Sequence, residues 1–402
     1  MNNPVIVSTS RSPIGRAFKG SLAAVRPDDL LSFYLADVLS KTKGLSIDEV
    51  DDIIVGCGLP GGEQGFNIAR VAAVLNGWNN VSATTVNRYC ASSLQAITQA
   101  ASHIVAGYGD TYIAGGVECA SRFIFGSSDT IENTTNPKFD DAMNRSSSAL
   151  TPGTPAWNEQ PGLPDVYIAM GLTAENVADV YGVTREQMDE FALESQQRCE
   201  AAQARGFFAD EITPYTLDDS TVVSADDSPR AGTTLEALQG LKPAFRDDGR
   251  VTAGNACPLN DGAAAVVVMS EAKANSLGLQ PLARIVGAAT TGLNPEIMGV
   301  GPIEAVKKVL AQTSLTIDDI DLVELNEAFA AQVIPCAQEL GIDREKLNVN
   351  GGAIALGHPF GMTGARIMTT LIHGLQDTGG RYGLETMCVG GGQGMAVVIE
   401  RL

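Results

Sequence analysis

Apolar and polar residues follow one another in the same order at two distant places in the chain. Residues 45–56 read L-S-I-D-E-V-D-D-I-I-V-G and residues 315–326 read L-T-I-D-D-I-D-L-V-E-L-N, each a polar turn feeding an apolar run of strand type. Downstream of each copy a strand is expected to end in Val-Asn, at Val86-Asn87 and at Val349-Asn350, before a turn rich in small residues. Helical spacing then predicts a helix from about Ser92 to Gly107 in the first half and from about Thr363 to Leu375 in the second. Each half returns through another apolar strand, Thr111 to Gly115 and Glu385 to Gly390. The alternation implies βαβ units and largely parallel sheets, and its duplication implies two similar halves.

Beyond the first return strand the pattern breaks. Residues from Phe123 to about Pro164 are rich in Ser, Thr, Asn, Asp and Pro, a helical pattern covers Thr173 to Ala201, and Ser228-Pro229-Arg230 and Asp247-Asp248-Gly249 carry turn chemistry. The apolar run Ala263 to Met269 resumes the strand pattern of the first half. The expected division is a first half of residues 1–122 and 251–273, an inserted loop domain of 123–250, and a second half of 274–402.

Composition narrows the class without choosing a chemistry. The 402 residues are 44% hydrophobic and 18% charged, which suits a large folded α/β chain. A net charge of −20 with scattered Lys and Arg lacks the basic footprint of a nucleic-acid binder, so no nucleic-acid partner is expected. No run reaches the roughly 20 apolar residues of a bilayer span, and Met1 to Arg11 carries no export signal, so no membrane association is expected. The C-terminal Glu400-Arg401-Leu402 is not the S-K-L address. Seven widely spaced cysteines without a C-x-x-C pair suit free thiols in a reducing cytoplasm. Gly56-Cys57-Gly58-Leu59-Pro60-Gly61 matches a dinucleotide fingerprint, but Pro60 and Gly62 indicate a loop where that fingerprint needs a helix. Neither a P-loop nor zinc-spaced ligands are present, so neither nucleotide hydrolysis nor a metal is expected.

Four residues stand where chemistry could occur. Cys90 falls where a strand ends and a helix begins, and backbone N–H groups with the helix dipole favour a thiolate there; a small buried residue is the structural alternative. Of three histidines, His103 and His373 lie inside predicted helices as packing residues. His358 lies in the glycine-rich loop Gly351 to Gly361, where it could act as base and hydrogen-bond donor or simply cap a turn. Cys388 precedes Val389-Gly390-Gly391-Gly392, glycines that leave N–H groups open to an oxyanion. Asn326, at another strand end, could hold a water or a carbonyl oxygen, or serve as a helix N-cap.

Five blocks in order, N-R-Y-C-A-S-S from Asn87, A-G-N-A-C-P-L-N-D-G-A-A-A from Ala253, N-E-A-F-A-A-Q from Asn326, G-G-A-I-A-L-G-H-P-F-G from Gly351 and C-V-G-G-G-Q-G from Cys388, resemble the signature blocks of the thiolase family. The resemblance covers essentially the whole chain. It implies a thiolase-like α/β fold, with duplicated βαβ-type halves built on mixed five-stranded sheets layered with helices, plus the inserted loop domain. It also implies an enzyme, an acyltransferase, in which His358 takes the proton of Cys90, Cys90 becomes acylated by a 3-ketoacyl-CoA, and Cys388 moves a proton at the neighbouring carbon. His358 with a water on Asn326 would form one oxyanion site, and the N–H groups of Cys90 and Gly390 the other.

Coenzyme A is the implied co-substrate, with no bound cofactor or metal, and Met170, Arg230, Ala253, Cys257, Ala328, Phe329 and His358 match cofactor-lining positions. A homodimer or homotetramer is implied. Cys257 in place of Ser, Ala169 in place of His, and Cys90-Ala91-Ser92-Ser93 in place of Cys-Gly-Ser-Gly depart from the short-chain biosynthetic members. These departures favour a degradative 3-ketoacyl-CoA thiolase of fatty acid β-oxidation and lipid metabolism over an acetyl-CoA acetyltransferase. A non-catalytic acyl-CoA-binding protein would have lost its reactive cysteine, and a ketoacyl synthase would carry a Cys-His-His set.

Overall fold

Each repeated segment closes its polar turn with the same reciprocal cap. Glu49 accepts from the Ser46 N–H at 3.1 Å in the first copy, and Asp319 from the Thr316 N–H at 2.8 Å in the second. A buried strand follows each turn, Asp52–Gly56 and Leu322–Leu325. The computed structural model describes residues 3–123 and 134–402, so residues 124–133 of the expected insertion lie outside the described residues.

Nine strands of four or more residues are found among the described residues: β1 (Pro4–Arg11), β2 (Asp52–Gly56), β3 (Ala83–Val86), β4 (Thr111–Cys119), β5 (Asn260–Ser270), β6 (Ala283–Gly292), β7 (Leu322–Leu325), β8 (Tyr382–Val389) and β9 (Gln393–Arg401). The helices of eight or more are α1 (Pro27–Lys41), α2 (Ile68–Leu75), α3 (Ser92–Ala106), α4 (Asp140–Ser148), α5 (Met170–Tyr181), α6 (Arg185–Ala204), α7 (Gly301–Thr313), α8 (Ala330–Leu340) and α9 (Phe360–Thr378).

The strands run β7-β8-β9-β6-β1-β5-β4-β2-β3, and β1 joins the two halves by pairing Val5 and Ile6 with Arg284 and Ala283 of β6. Reading outward from that seam, β1-β5-β4-β2-β3 and β6-β9-β8-β7 repeat one order of connection.

Two expectations need correction. The sheets are mixed and mostly antiparallel: β2 pairs in parallel with β3 and β4, and β7 with β8, while β5 and β9 enter antiparallel. Each half thus has a parallel edge continued by an antiparallel strand, β9 following β8 directly and β5 reaching β4 only after the insertion. The strand expected to end at Val349-Asn350 shrinks to one bridge, Leu347 with Val323. Asn348 then turns at φ +45°, and its side chain replaces the backbone ladder by accepting from Leu325 N–H and donating to Leu325 O, both at 2.9 Å.

Side chains alternate across both half-sheets into three buried clusters. Ile53, Val55, Ile113 and Val267 face α1 and α2; Leu384, Ala396 and Val398 face α7 and α8; Ile54, Ala114, Val266, Met387 and Val397 face a central layer of α3 and α9. Those two central helices meet at their N-terminal ends. The Ser93 hydroxyl accepts from Ala365 N–H at 2.9 Å, and a Cβ on Gly364 would meet Leu94 Cβ at 2.6 Å. On β4, a Cβ at Gly116 would drive into the Gly361 carbonyl and lie 2.7 Å from Ser93 Cβ. Gly116→Ala is therefore expected to cost about 1–3 kcal/mol or more by overpacking, measured by chemical denaturation; a loss below roughly 0.5 kcal/mol would show that the helix ends do not need that spacing.

Candidate active site

Beyond Val86 the chain turns into a single 3-10 turn, Tyr89–Ala91, on which α3 is stacked. Tyr89 adopts φ +42°, a left-handed conformation costing on the order of 1–3 kcal/mol in a bulky residue. Asn87 Oδ1 holds it by accepting the Tyr89 N–H at 2.8 Å, and the Ser92 hydroxyl donates to the Tyr89 carbonyl at 2.6 Å. The corner sets Cys90 inward, 8% exposed.

Opposite it, β8 ends and turns through Gly390–Gly392 into β9, with φ +75° at Gly391 and +81° at Gly392. The N–H groups of Gly390 and of Cys90 itself act on the Cys90 sulfur in the direction that favours its thiolate. Burial nevertheless pushes the Cys90 thiol up to about 12, outweighing those N–H groups, with Glu118 adding to the rise. The thiolate favoured by position alone is thus not the resting form, because loss of solvation costs more than the helix end returns.

His358 is 1% exposed and fixed on three sides. Its backbone N–H donates to Asn260 Oδ1 at 2.9 Å, its Nδ1 lies 2.7 Å from Thr363 Oγ1, and its Nε2 lies 3.3 Å from Asn326 Nδ2. Burial lowers its pKa to about 3, with the positive charge of Arg366 acting in the same direction. Asn326 extends the strand ladder by donating its N–H to Thr386 O at 3.0 Å, and the N-cap position of α8 is Phe329, so Asn326 is not the cap. Its buried Oδ1 has no hydrogen-bond partner among the described residues.

Cys388, on β8, is fully buried with its sulfur 3.7 Å from the Gln332 side-chain amide of α8. Burial first, then the neighbouring Cys90, Cys336 and Cys257, holds its proton well above the usual thiol range. The four chemical positions read from the sequence thus fall into two pairs, Cys90 with Cys388 and His358 with Asn326, each drawn from strand ends and loops.

The expected cofactor positions divide into two groups. Ala256 bridges Phe329, Cys257 N–H donates to Ala328 O at 3.0 Å, and Ala253 stands exposed at the start of the same turn. The Phe245 ring lies 6.1 Å from that of Phe329 and packs on Gly171, carrying this strip to Met170. Arg230 is apart, exposed on a loop where Gln196 Oε1 accepts its backbone N–H. That loop is tied to His358 through Asn260, whose Nδ2 donates to the Ser228 hydroxyl at 3.1 Å. A cavity of about 260 Å³ opens on Cys90, lined by Leu59, Val166, Ile168, Met170 and Phe360.

Three supporting residues were not singled out by the sequence. Thr363 and Asn260 hold His358 from opposite sides, and only the placement of Thr363 one helical turn after His358-Pro359 hinted at a contact. Glu118, fully buried, gathers N–H groups from Gly58 at 2.8 Å, Leu59 at 3.2 Å and Gly361 at 2.9 Å, with Gln64 Nε2 at 2.6 Å. The glycine-rich loop that mimics a dinucleotide fingerprint thus wraps a carboxylate of the protein itself. His103 packs edge-on to Tyr108 and Tyr112, and His373 lies over Glu211, as helix packing residues.

The fold and its likeness to known proteins make the chain an acyltransferase acting through coenzyme A. The family models described as the thiolase N-terminal and C-terminal domains match residues 4–272 and 279–401, and the chain belongs to the thiolase family. It is 45% identical to the beta-ketoadipyl-CoA thiolase of Acinetobacter baylyi and 44% identical to the 3-ketoacyl-CoA thiolase of Bacillus subtilis, each over 100% of both chains. The crystal structure of the Bacillus anthracis acetyl-CoA acetyltransferase superposes with a TM-score of 0.86 at 41% identity, covering 100% of this chain and 99% of the other. Among the described residues, no group of three or more His, Cys, Asp or Glu is placed to hold a metal ion, and no helix is long and apolar enough to cross a membrane.

The depressed His358 carries a stability signature. Its pKa falls from 6.5 to about 3 on folding, so its contribution is complete above 6.5 and is lost as pH drops towards 3. The slope reaches about 1.4 kcal/mol per pH unit. Unfolding free energies of wild type and His358→Gln should draw together across that window, and parallel curves from pH 6.5 to 4 would refute the buried neutral imidazole.

Proposed function

We propose that the enzyme is a degradative 3-ketoacyl-CoA thiolase of fatty acid β-oxidation, with Cys90 as nucleophile. The observation that carries this reading is the Cys90 thiol, faced by the Gly390 N–H and close to a second buried thiol, Cys388. His358 Nε2 takes the Cys90 proton as the sulfur attacks the 3-keto carbon. The bond between C2 and C3 breaks, its electron pair passes into the thioester enolate, and Cys388 gives its proton to C2, releasing acetyl-CoA. The thiol of free coenzyme A then attacks acyl-Cys90, its proton restores Cys388, and the shortened acyl-CoA departs while His358 returns the first proton to Cys90.

Charge develops on oxygen at both stages. The N–H groups of Cys90 and Gly390 supply one set of donors, and protonated His358 with a water on Asn326 Oδ1 supplies the other. The strip of Ala253, Cys257, Ala328 and Phe329 with Met170 takes the pantetheine arm, and exposed Arg230 suits the phosphates of the nucleotide end.

The cavity at Cys90 favours a neutral acyl chain. Among the described residues its lining carries no charged side chain, which argues for alkyl 3-ketoacyl-CoA esters over the dicarboxylic ester named for the Acinetobacter relative. The acetyltransferase reaction is the same chemistry run towards condensation. Self-association as a homodimer or homotetramer is supported by edge strand β3, whose four residues are all partly exposed, with Phe66 beside it 95% exposed. Seven free cysteines fit a cytoplasmic setting.

Thiolysis rates on acetoacetyl-CoA, a medium-chain 3-ketoacyl-CoA and 3-oxoadipyl-CoA test the substrate class. The medium-chain ester is expected to have the highest kcat/KM, and strict preference for either other ester would sink the assignment. Cys90→Ala should abolish turnover; retained turnover would overturn the mechanism.

A further inference from the structure

We infer that Thr363 is a positioning residue that fixes His358 as the tautomer protonated on Nδ1, leaving Nε2 free to receive the Cys90 proton. The inference rests on the mechanism proposed for His358. It follows from where each hydrogen can go.

The Thr363 hydroxyl has one proton, donated to the Pro359 carbonyl at 2.8 Å. Towards His358 Nδ1, 2.7 Å away, it offers only lone pairs, so Nδ1 must carry a hydrogen. On the other side of the ring, Asn326 Nδ2 is a donor 3.3 Å from Nε2, which asks for a lone pair there. The two neighbours select the same tautomer independently. The opposite tautomer would set two N–H donors face to face at Asn326 and turn the Thr363 hydroxyl away from the Pro359 carbonyl, which would keep only the N–H groups of Met362 and Thr363. His358, Thr363 and Asn326 are each at most 1% exposed, so bulk water does not relax the penalty.

Thr369, Thr370 and Thr378 in α9 also donate back to the carbonyl four residues earlier, so that bond alone is ordinary helix behaviour. Thr363 differs in having the imidazole on its remaining lone pairs. A neutral hydroxyl has a further consequence. It orients the ring without the charge by which a carboxylate would stabilise an imidazolium, so the proton taken from Cys90 is readily returned when the acyl group leaves. The depressed pKa of His358 agrees with that.

Thr363→Val keeps the shape and removes the acceptor; Thr363→Ser keeps the hydroxyl. In the full chain, Thr363→Val is expected to lower kcat for thiolysis about 100-fold or more, the scale of general-base assistance, with KM within about threefold. Thr363→Ser should restore kcat to within about fivefold of wild type. If Thr363→Val fails to fold, Thr363→Ala makes the same comparison. With histidine labelled in 15N, and His358 assigned by its loss in His358→Gln, the wild-type ring should show a protonated Nδ1 and a bare Nε2. The valine variant, in which only Asn326 still selects that tautomer, should show part of the ring protonated on Nε2. Alkylation of Cys90 by iodoacetamide should slow in Thr363→Val near neutral pH and converge with wild type in strong alkali.

Unchanged kcat, or an Nε2-protonated wild-type ring, would overturn the role of Thr363 while leaving the thiolase reading intact. Absence of thiolysis in wild type, with the nitrogen signals as expected, would overturn the proposed reaction and spare the tautomer assignment.

Discussion

The contact on which the rest depends is the meeting of the N-terminal ends of α3 and α9 at the centre of the molecule. Gly116, Gly361 and Gly364 let backbone approach backbone there, and Ser93 stitches the two helices by accepting the Ala365 N–H. Because Cys90 lies just before one helix and His358 just before the other, this one approach brings the segments that carry them from opposite halves of the chain against one another. A side chain at the seam would part them. Glu118 reinforces the approach by binding N–H groups from the first half's loop and from Gly361 with a single carboxylate.

Burial then decides the electrostatics of the pocket. Both catalytic candidates are buried, so the thiol is pushed up and the imidazole down, and the resting pair is neutral. Such a site holds little standing charge to attract the wrong chemistry. Its N–H donors are instead directed at the sulfur, where negative charge would arise as bonds change. Preorganised donors in a dry site act more strongly than the same groups in water.

The inserted segment is clamped to this core by buried charge. Arg11 of β1, fully buried, pairs with Glu211 at 2.6 Å and Asp226 at 2.7 Å of the insertion, and within the insertion Arg250 and Arg246 converge on Glu175 of α5. Pairs of this kind add little net stability over apolar packing, but removing one partner strands a buried charge, so they hold one arrangement against others. The arrangement matters because the same segment carries Val166, Ile168 and Met170 to the wall of the Cys90 cavity.

The local sequence determined much of this. The duplicated turn and strand at 45–56 and 315–326, the helices after Cys90 and His358, and the places of Cys90, Asn326, His358 and Cys388 at strand ends and loops were legible from periodicity, turn residues and motif order, because each depends on neighbours within a few residues. Strand direction was not, since β5 reaches its place between β4 and β1 only after the whole insertion. Nor was the collapse of the strand at Val349, which depends on one Asn348 side chain reaching Leu325. Thr363, Asn260 and Glu118 escaped for the same reason: their roles are hydrogen bonds across space, and the protonation of Cys90 and His358 was set by burial that no local pattern reports. Sequence fixed which groups exist and how each segment folds; the packing of the two halves decided which groups meet and in what charge state, because desolvation and directional hydrogen bonds arise only when distant segments close on one another.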